Sequence, residues 1–276
     1  MAVKDSTRPL ILLTNDDGIR SPGLWAAAEA LSAVGFVTVA APREQSTGMG
    51  RSMPTTSDGA IREEQVTVGG KTWTVYAVGG TPAQAVQHAI FELTPRKPDL
   101  VVAGINYGEN LTTGISVSGT IGAALEGAAF GVPSLAVSQE TDSSYFLSYS
   151  EEIDFAPAGY FTAYFARLLL AWPGLPDVHV LDVNVPLGAT PKTPWRITRL
   201  SHRKYYVPIA PQRQRLDQPG SVSYKVRMPE GVEEDSDVHA LRLDRLVSVT
   251  PLSLDSTSRV DPADLGAQLR RLAGPD

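Results

Sequence analysis

The sequence lacks cysteine, long apolar runs and an excess of positive charge. None of its 276 residues is cysteine, which excludes disulfides, thiolate catalysis and cysteine-ligated zinc. No apolar run reaches the ~18 residues that a membrane-spanning helix needs, and the N-terminus has no apolar signal-peptide core. We therefore expect a cytoplasmic protein with no membrane partner.

Charge and composition narrow the class of partner. Lys and Arg number 24 against 30 Asp and Glu, which gives a formal net charge of −6. This balance argues against the binding of a nucleic-acid polymer, although a small anionic substrate could still be bound locally. With 42% hydrophobic residues, the chain is long enough to bury a sizeable core.

Several familiar catalytic motifs are also missing. The sequence has no G-x-x-x-x-G-K-[ST] phosphate loop, and no G-x-G-x-x-G dinucleotide fingerprint follows its first strand. It has no G-x-S-x-G nucleophile elbow, and its four histidines do not occur at a metal-binding spacing. None of these motifs therefore indicates the chemistry of this chain.

Strand and helix signals alternate through the first two thirds of the chain. Apolar strands are predicted over 9–14, 36–42, 99–104, 133–138 and 179–186, and helices over 21–35, 81–93, 119–131 and 155–172. A hairpin over 60–78 turns at Gly69-Gly70. Alternation of this kind, with strands that are apolar on both faces, predicts an α/β fold with a mostly parallel sheet flanked by helices.

The last third of the chain lacks this rhythm. Strands are predicted over 195–201 and 245–252, followed by a short terminal helix, but the segment between them is polar, charged and contains proline. We interpret 201–244 as a protruding arm for subunit contacts, and 1–200 together with 245–276 as the catalytic domain. A loose surface excursion is the alternative interpretation of the arm.

Paired acids follow the first predicted strand. Asn15, Asp16 and Asp17 stand just after it, where the carboxyl ends of parallel strands form the ligand crevice. Two adjacent carboxylates repel each other unless a cation lies between them, and Mg²⁺ and Mn²⁺ prefer oxygen ligands. Ser46 and Asn106, in the loops after two later strands, would complete the shell. The alternative is that one acid caps a turn and the other is solvated.

A second candidate lies at the start of the third predicted helix. Ser118, Gly119 and Thr120 present free backbone N–H groups and the positive end of a helix dipole, a combination that binds phosphate. Capping of the helix by Ser118 or Thr120 is the alternative. Gly48 and Arg51, in the loop after the second strand, are further candidates for contact with substrate phosphate, and surface solvation is the alternative for Arg51.

Longer blocks of sequence resemble one known family. The signature blocks of the SurE family, the survival-protein E nucleotidases, resemble five stretches of the chain in order: LLTNDDG, APREQSTGMGRSMP, GGTPAQAV, PDLVVAGINYGEN and SGTIGAALEGAAFGVPSLAVS. Looser resemblance continues to about residue 252. The N-terminal blocks are long and specific, whereas the arm is generic.

The resemblance implies a metal-dependent phosphomonoesterase acting on nucleoside 5′- and 3′-monophosphates, with short polyphosphate as a further substrate. The family's four metal ligands correspond to Asp16, Asp17, Ser46 and Asn106, which implies one divalent ion, Mg²⁺ or Mn²⁺, per subunit. A Rossmann-like domain with an extended C-terminal hairpin that joins homodimers or homotetramers is also implied. Val117 departs from the family pattern, in which His or Tyr often precedes S-G-T, and this departure bears on substrate preference.

Together the residues and the resemblance predict hydrolysis of nucleoside monophosphates to nucleoside and phosphate. Asp16 and Asp17 are expected to hold the ion, with Asp16 also steering the attacking water. Asn15, Asn106 and the N–H groups at 118–120 are expected to stabilise charge on the phosphoryl oxygens. Two alternatives stay open: a regulatory module that binds metal and nucleotide without turnover, and a phosphatase of other small phosphate esters.

Overall fold

The structure is a computed structural model, and it describes residues 8–146, 148–150 and 152–273. Strands occupy Leu10–Thr14 (β1), Phe36–Pro42 (β2), Ile61–Val68 (β3), Lys71–Val78 (β4), Leu100–Tyr107 (β5), Ser134–Gln139 (β6), Val180–Val185 (β7), Trp195–Ile197 (β8), Tyr206–Ile209 (β9), Ser223–Val226 (β10) and Val247–Leu252 (β11). The α-helices occupy Pro22–Ser32 (α1), Pro82–His88 (α2), Gly119–Ala129 (α3), Ala156–Ala171 (α4) and Pro262–Ala273 (α5). Short 3₁₀ turns cover Thr113–Val117 and Ser143–Tyr145, and π turns cover Ala89–Leu93 and His239–Leu243.

One nine-stranded sheet organises the molecule. Its strand order is β3-β4-β2-β1-β5-β6-β7-β11-β8. From β4 to β7 in this order every strand is parallel to its neighbours. β3 and β11 run antiparallel to β4 and β7. The predicted α/β class with a mostly parallel sheet is thereby confirmed.

The parallel strands are apolar because helices cover both faces of the sheet. Every residue of β1 and of β6 is buried. Side chains of a strand point alternately to its two faces, and accordingly Ile11 packs with Leu24 of α1 and Phe161 of α4. Leu12 packs on the other face with the helix residues Val86 of α2 and Ile121 of α3. The core is thus two layers of apolar side chains, one on each side of the sheet.

Several predicted elements differ from the structure at their ends, and three of the differences have a clear structural reason or form. β5 continues past the predicted end at 104, because Asn106 still pairs with Ser138 of β6 after an irregularity in the register. The predicted helix 81–93 is α-helical only to His88 and finishes as a π turn. Of the predicted strand 195–201, only Trp195–Ile197 forms a strand, β8, which pairs with β11.

The segment predicted as an arm contains a hairpin. β9 and β10 form a separate two-stranded antiparallel sheet. The segment 210–222 that connects them is almost entirely exposed. The base of the hairpin is different, because Tyr205, Val238 and Leu241 are buried in a small apolar cluster with Leu111. The use of this hairpin for subunit contacts stays a prediction.

The terminal helix was predicted and is present as α5. None of its residues is buried, so it contributes nothing to the core of the described chain. Across residues 8–146, 148–150 and 152–273, no helix combines the length and the apolar character that crossing a bilayer requires.

Candidate functional site

The predicted site residues follow neighbouring strands. β2, β1 and β5 are adjacent and parallel in the sheet, so the loops after their carboxyl ends meet at one edge. A pocket of about 320 Å³ lies there. Of the predicted residues, Asp16, Gly48, Asn106 and Ser118 line it. The sheet topology therefore brings residues from all three loops to one crevice.

Asp16 and Asp17 are both buried at this edge, with only 3% and 2% of their surface exposed. The Thr120 hydroxyl donates a hydrogen bond to Asp16 Oδ1 at 2.6 Å. Asp17 accepts longer bonds, from Gln45 Nε2 at 3.3 Å and from the backbone N–H of Tyr107 at 3.4 Å. These donors are neutral, so no protein charge in these contacts offsets the two carboxylates.

Burial makes the two acids difficult to ionise together. It raises the pKa of Asp16, while the Thr120 hydroxyl and nearby backbone amides oppose the shift. Burial also raises the pKa of Asp17 well above its usual value, and the charge of Asp16 adds to that shift. A divalent cation would favour both charged forms. The acid pair therefore fits a hard cation.

Asn106 and Ser46 could supply neutral oxygens to the same ion. Asn106 lines the pocket, and its Nδ2 donates to the backbone oxygens of Tyr107 and Gly108 at 3.2 and 2.7 Å, which leaves Oδ1 as the atom available to a ligand. The backbone N–H of Ser46 donates to Asp16 O at 2.7 Å, so the second loop is tied to the acid pair. The resulting donor set contains only oxygen, as Mg²⁺ and Mn²⁺ prefer.

A cation site at this edge would need hydroxyl or amide oxygens as ligands in addition to the two carboxylates. Within the described ranges, no group of three or more His, Asp or Glu side chains could hold a metal ion. Two carboxylates plus hydroxyl and amide oxygens are consequently the set available at this edge, and the assignment of these four ligands stays a prediction.

The start of α3 lies directly against Asp16. A Cβ on Gly119 would be 2.6 Å from Asp16 Cβ, so only glycine permits this approach. The backbone amides of Gly119 and Thr120 face the Asp16 carboxylate and lower its pKa. Ser118 caps the helix, because its Oγ accepts a hydrogen bond from the N–H of Ile121 at 3.2 Å. A phosphate contact at 118–120 stays a prediction.

Two predicted residues have other partners in the structure. Asn15 closes its own turn: Nδ2 donates to Gly18 O and Oδ1 accepts from the Gly18 N–H, both at 3.1 Å. Arg51 Nε donates to the buried Glu126 carboxylate at 2.7 Å. Neither residue lines the pocket. Asn15 therefore shapes the acid turn, and Arg51 ties the second loop to α3.

Comparison with known proteins decides the family. The family model described as Survival protein SurE matches residues 11–207, which include the acid pair, its loop partners and the start of β9, the first strand of the hairpin. This chain belongs to the SurE family. The resemblance predicted from the sequence blocks is thereby confirmed.

Relatives extend the similarity over nearly the whole chain. The 5′-nucleotidase SurE of Thermococcus gammatolerans is 43% identical over 254 residues, which cover 91% of this chain and 92% of that protein. The 5′-nucleotidase SurE of Methanoculleus marisnigri is 42% identical over 268 residues, covering 94% and 97%. The crystal structure of the SurE protein from Aquifex aeolicus matches with a TM-score of 0.71 at 31% identity, covering 96% of this chain and 100% of that one.

Sequence reasoning missed one wall of the pocket in this SurE chain. Phe146, and Tyr206, Pro208 and Tyr224 from the hairpin, line that wall. The hairpin residues lie in the segment predicted to make subunit contacts, and nothing in their local pattern connects them to the acids. Val117, the departure from the family pattern, also lines the pocket.

The base of the hairpin is fastened to the loop after β5 through Glu109. Tyr205 donates its hydroxyl to Glu109 Oε1, and Tyr206 donates its hydroxyl to the Glu109 backbone oxygen. Arg242 approaches the same carboxylate at 3.4 Å. Burial raises the pKa of Glu109. The GINYGEN block contains Glu109, but the sequence gives no sign of these distant partners.

Proposed function

We propose that this chain is a metal-dependent 5′-nucleotidase that hydrolyses nucleoside monophosphates to nucleoside and phosphate. The observation that carries the proposal is the buried pair Asp16 and Asp17, beside Asn106 in a pocket of ligand size. Its relatives named 5′-nucleotidase SurE support the substrate class. We include nucleoside 3′-monophosphates and short polyphosphate as further substrates, a homodimer or homotetramer as the working form, and the cytoplasm as its location.

Each predicted ligand has a role in this proposal. Asp16, Asp17, Ser46 and Asn106 would hold one Mg²⁺ or Mn²⁺, and an ion bound there polarises phosphoryl oxygens and acidifies water. Thr120 holds the Asp16 carboxylate in one orientation through its 2.6 Å hydrogen bond. A carboxylate fixed in this way is suited to orient an attacking water.

The remaining groups would stabilise the transferred phosphoryl group. In this proposal, backbone N–H groups at 118–120 and at Gly48 would donate to the equatorial oxygens. Of these residues, Gly48 and Ser118 line the pocket, whereas the amides of Gly119 and Thr120 face the adjacent Asp16 carboxylate. Water forms the new O–P bond as the ester O–P bond breaks. The attacking water gives up one proton, and the leaving nucleoside oxygen takes up one proton, so the products are the nucleoside and hydrogen phosphate.

Phosphate release from a panel of esters tests the proposal. The panel contains nucleoside 5′- and 3′-monophosphates, ribose 5-phosphate, glycerol phosphate and short polyphosphate, each assayed with Mg²⁺, with Mn²⁺ and with EDTA. We expect metal-dependent release that is fastest for nucleoside monophosphates. Asp16→Ala and Asp17→Ala should each lower the rate by at least ~10²-fold, because losing a ligand raises the barrier by several kcal/mol.

Asp264→Ala is the matched control. Asp264 is an exposed acid in the first turn of α5, so its removal should leave the rate unchanged. Tight nucleotide binding without any release would favour the regulatory module instead. Equal rates on all esters would favour a general phosphatase, and near-wild-type rates in both acid variants would refute the role of the acid pair.

A further inference from the structure

The lining of the pocket contains two chemically different groups of residues. Asp16, Asn106 and Ser118 form the polar group, which we call the polar end. The second group, which we name the aromatic wall, consists of Phe146 from the loop after β6 and of Tyr206, Pro208 and Tyr224 from the hairpin. A ligand held by its phosphate at the polar end would have the aromatic wall within the same pocket.

The charges of the pocket restrict what the aromatic wall can accept. Among the described lining residues there is no Lys, Arg or His, and the ionisable side chains other than tyrosine are Asp16 and Glu109. A second anionic group would therefore find no counter-charge among the residues that line the pocket, since Arg242 behind the wall is already paired with Glu109 and Glu140. An uncharged group is the chemistry that fits.

The two tyrosines provide the ring surface for such a group. Their centroids lie 5.7 Å apart with planes at 90°, the edge-to-face arrangement that aromatic pairs prefer. Tyr224 keeps 51% of its surface exposed, so its ring has surface left to cover. Tyr206 lies close to the Gly114 backbone, because a Cβ added to Gly114 would be 3.7 Å from the Tyr206 ring.

The wall is held in place before any ligand arrives. The Tyr206 hydroxyl is bound to the Glu109 backbone, and Tyr205, the neighbouring residue, is fully buried. Asp237 joins the segments that flank the base of the hairpin, because its carboxylate accepts hydrogen bonds from the backbone N–H groups of Thr112 at 2.6 Å and of Ser201 at 2.9 Å. A fixed aromatic surface binds a flat ring with little loss of conformational entropy.

We propose that Tyr224 of the hairpin stacks on the nucleobase of the substrate, with Tyr206 meeting the same base edge-to-face, and that these two rings make this phosphatase selective for nucleotides. The inference rests on the proposed function and adds the residues that determine its substrate class. Every base has a π face, so stacking would favour nucleotides over non-aromatic esters without reading the edge of the base.

Tyr224→Ala tests the inference by comparing two substrates and one ligand. We measure kcat/KM for adenosine 5′-monophosphate and for ribose 5-phosphate, which lacks the base, and the Kd of adenosine by calorimetry. Stacking on one aromatic residue typically changes affinity by about 10- to 100-fold. We therefore expect a loss of that size for the nucleotide and for adenosine, and a much smaller loss for ribose 5-phosphate.

Two further variants serve as controls. Tyr224→Phe keeps the ring and is expected to recover most of the lost nucleotide kcat/KM. Tyr160→Ala removes a tyrosine of similar exposure, 42%, from α4, where it stacks with Tyr164 outside the pocket, and should change none of the three values.

The outcomes separate this inference from the proposed function. Equal losses on both substrates, or an unchanged adenosine Kd, would overturn the stacking role while leaving the nucleotidase intact. If the wild-type protein releases phosphate from neither ester, the proposed function fails, and the adenosine Kd of wild type and Tyr224→Ala still decides whether the wall binds the base.

Discussion

The polar end of the pocket and its aromatic wall are built in different ways. Asp16 and Asn106 stand at the ends of adjacent parallel strands, β1 and β5, and the sheet alone brings them together. Tyr206 and Tyr224 lie on a hairpin that does not join the main sheet. Sheet topology thus positions the polar residues of the pocket, whereas side-chain contacts outside the sheet position its aromatic residues.

The two regions also differ in how charge is treated. Neutral donors surround Asp16 and Asp17, so the acids keep raised pKa values that a cation could exploit. Behind the aromatic wall, Arg242 lies 2.8 Å from Glu140 and 3.4 Å from Glu109. There the protein supplies its own counter-charge. In the first region the acids lack a protein counter-charge, as the proposed cation site requires, whereas in the second the protein's own charges help to hold the hairpin.

Gly119→Ala should produce the largest expected effect, a loss of catalytic rate. It should act on the polar end of the pocket and leave the aromatic wall unchanged. The added Cβ would lie 2.6 Å from Asp16 Cβ and would push that carboxylate out of place. A displacement of about 1 Å can cost roughly 10²-fold in rate. We expect kcat to fall by that order while the Kd of adenosine, which reports on the aromatic wall, stays close to that of the wild type.

Gly127→Ala is the matched control on the same helix. Its Cβ would meet Val101 Cβ at 2.7 Å, a similar clash directed into the core. We expect lower stability, by about 1–3 kcal/mol for an overpacked core, with normal kcat per folded molecule. A Gly119→Ala enzyme with unchanged kcat would show that the helix does not position Asp16.

Glu109→Ala should produce the next effect, on the anchoring of the hairpin. It leaves the buried Tyr205 hydroxyl without its acceptor, and it creates a cavity. Losses of this kind lower the free energy of unfolding by about 2–4 kcal/mol. Chemical denaturation measures this change, and the adenosine Kd should weaken as the aromatic wall loosens.

Glu152→Ala provides the comparison for that result. Tyr145 donates its hydroxyl to Glu152 at 2.9 Å on the protein surface, so the same pair of residue types is removed where water can replace it. We expect a change within about 0.5 kcal/mol. Equal losses in the two variants would mean that Glu109 does not anchor the hairpin.

Asp182→Asn should produce the smallest of these effects, a change in the free energy of unfolding that depends on pH. Asp182 of β7 is fully buried, and neither carboxyl oxygen forms a hydrogen bond of normal geometry. Burial, followed by the charge of Asp237, raises its pKa well above the usual value, and the nearby Asn184 amide only partly opposes the shift. Because an ionised carboxylate buried without a partner destabilises the folded state, removing the acid should raise the free energy of unfolding at neutral pH.

The direction with pH follows from the raised pKa. The protonated folded form is favoured below the unfolded pKa of about 3.9, and that contribution is lost as pH rises through the folded value. The advantage of Asp182→Asn over wild type should therefore grow from pH 4 upward in denaturation curves. At the exposed Asp142, hydrogen bonds from Ser144 lower the pKa, so Asp142→Asn should show the opposite trend. The same trend in both variants would contradict the assignment.

Much of the fold could be predicted because its signals are local. The apolar runs that became β1 and β2, and the Ser-Pro that opens α1, are patterns within a few residues. The acid pair was predictable for the same reason, since a polar turn directly follows a buried strand. Element ends were less certain, and β5 continued through Tyr107 because pairing with β6 overrides the glycine at its middle.

The remaining features depend on residues far apart in the chain. Arg51 pairs with Glu126 across 75 positions, and Tyr206 reaches the Glu109 backbone across 97. Asn15 could have faced the pocket or its own turn, and only the folded geometry selected the turn. For each of these side chains the sequence offers several chemically equivalent hydrogen-bond or ion-pair partners, and no local pattern selects among them.

The sequence by itself determined the alternation of strands and helices, the position of the acids at a strand end, and the oxygen-only chemistry of that place. These follow from the periodicity of apolar residues and from the preferences of adjacent carboxylates. Only the tertiary structure decided which aromatic rings border the pocket and which amides and cations stay outside it. Such choices depend on the simultaneous packing of distant segments, which no short stretch of sequence records.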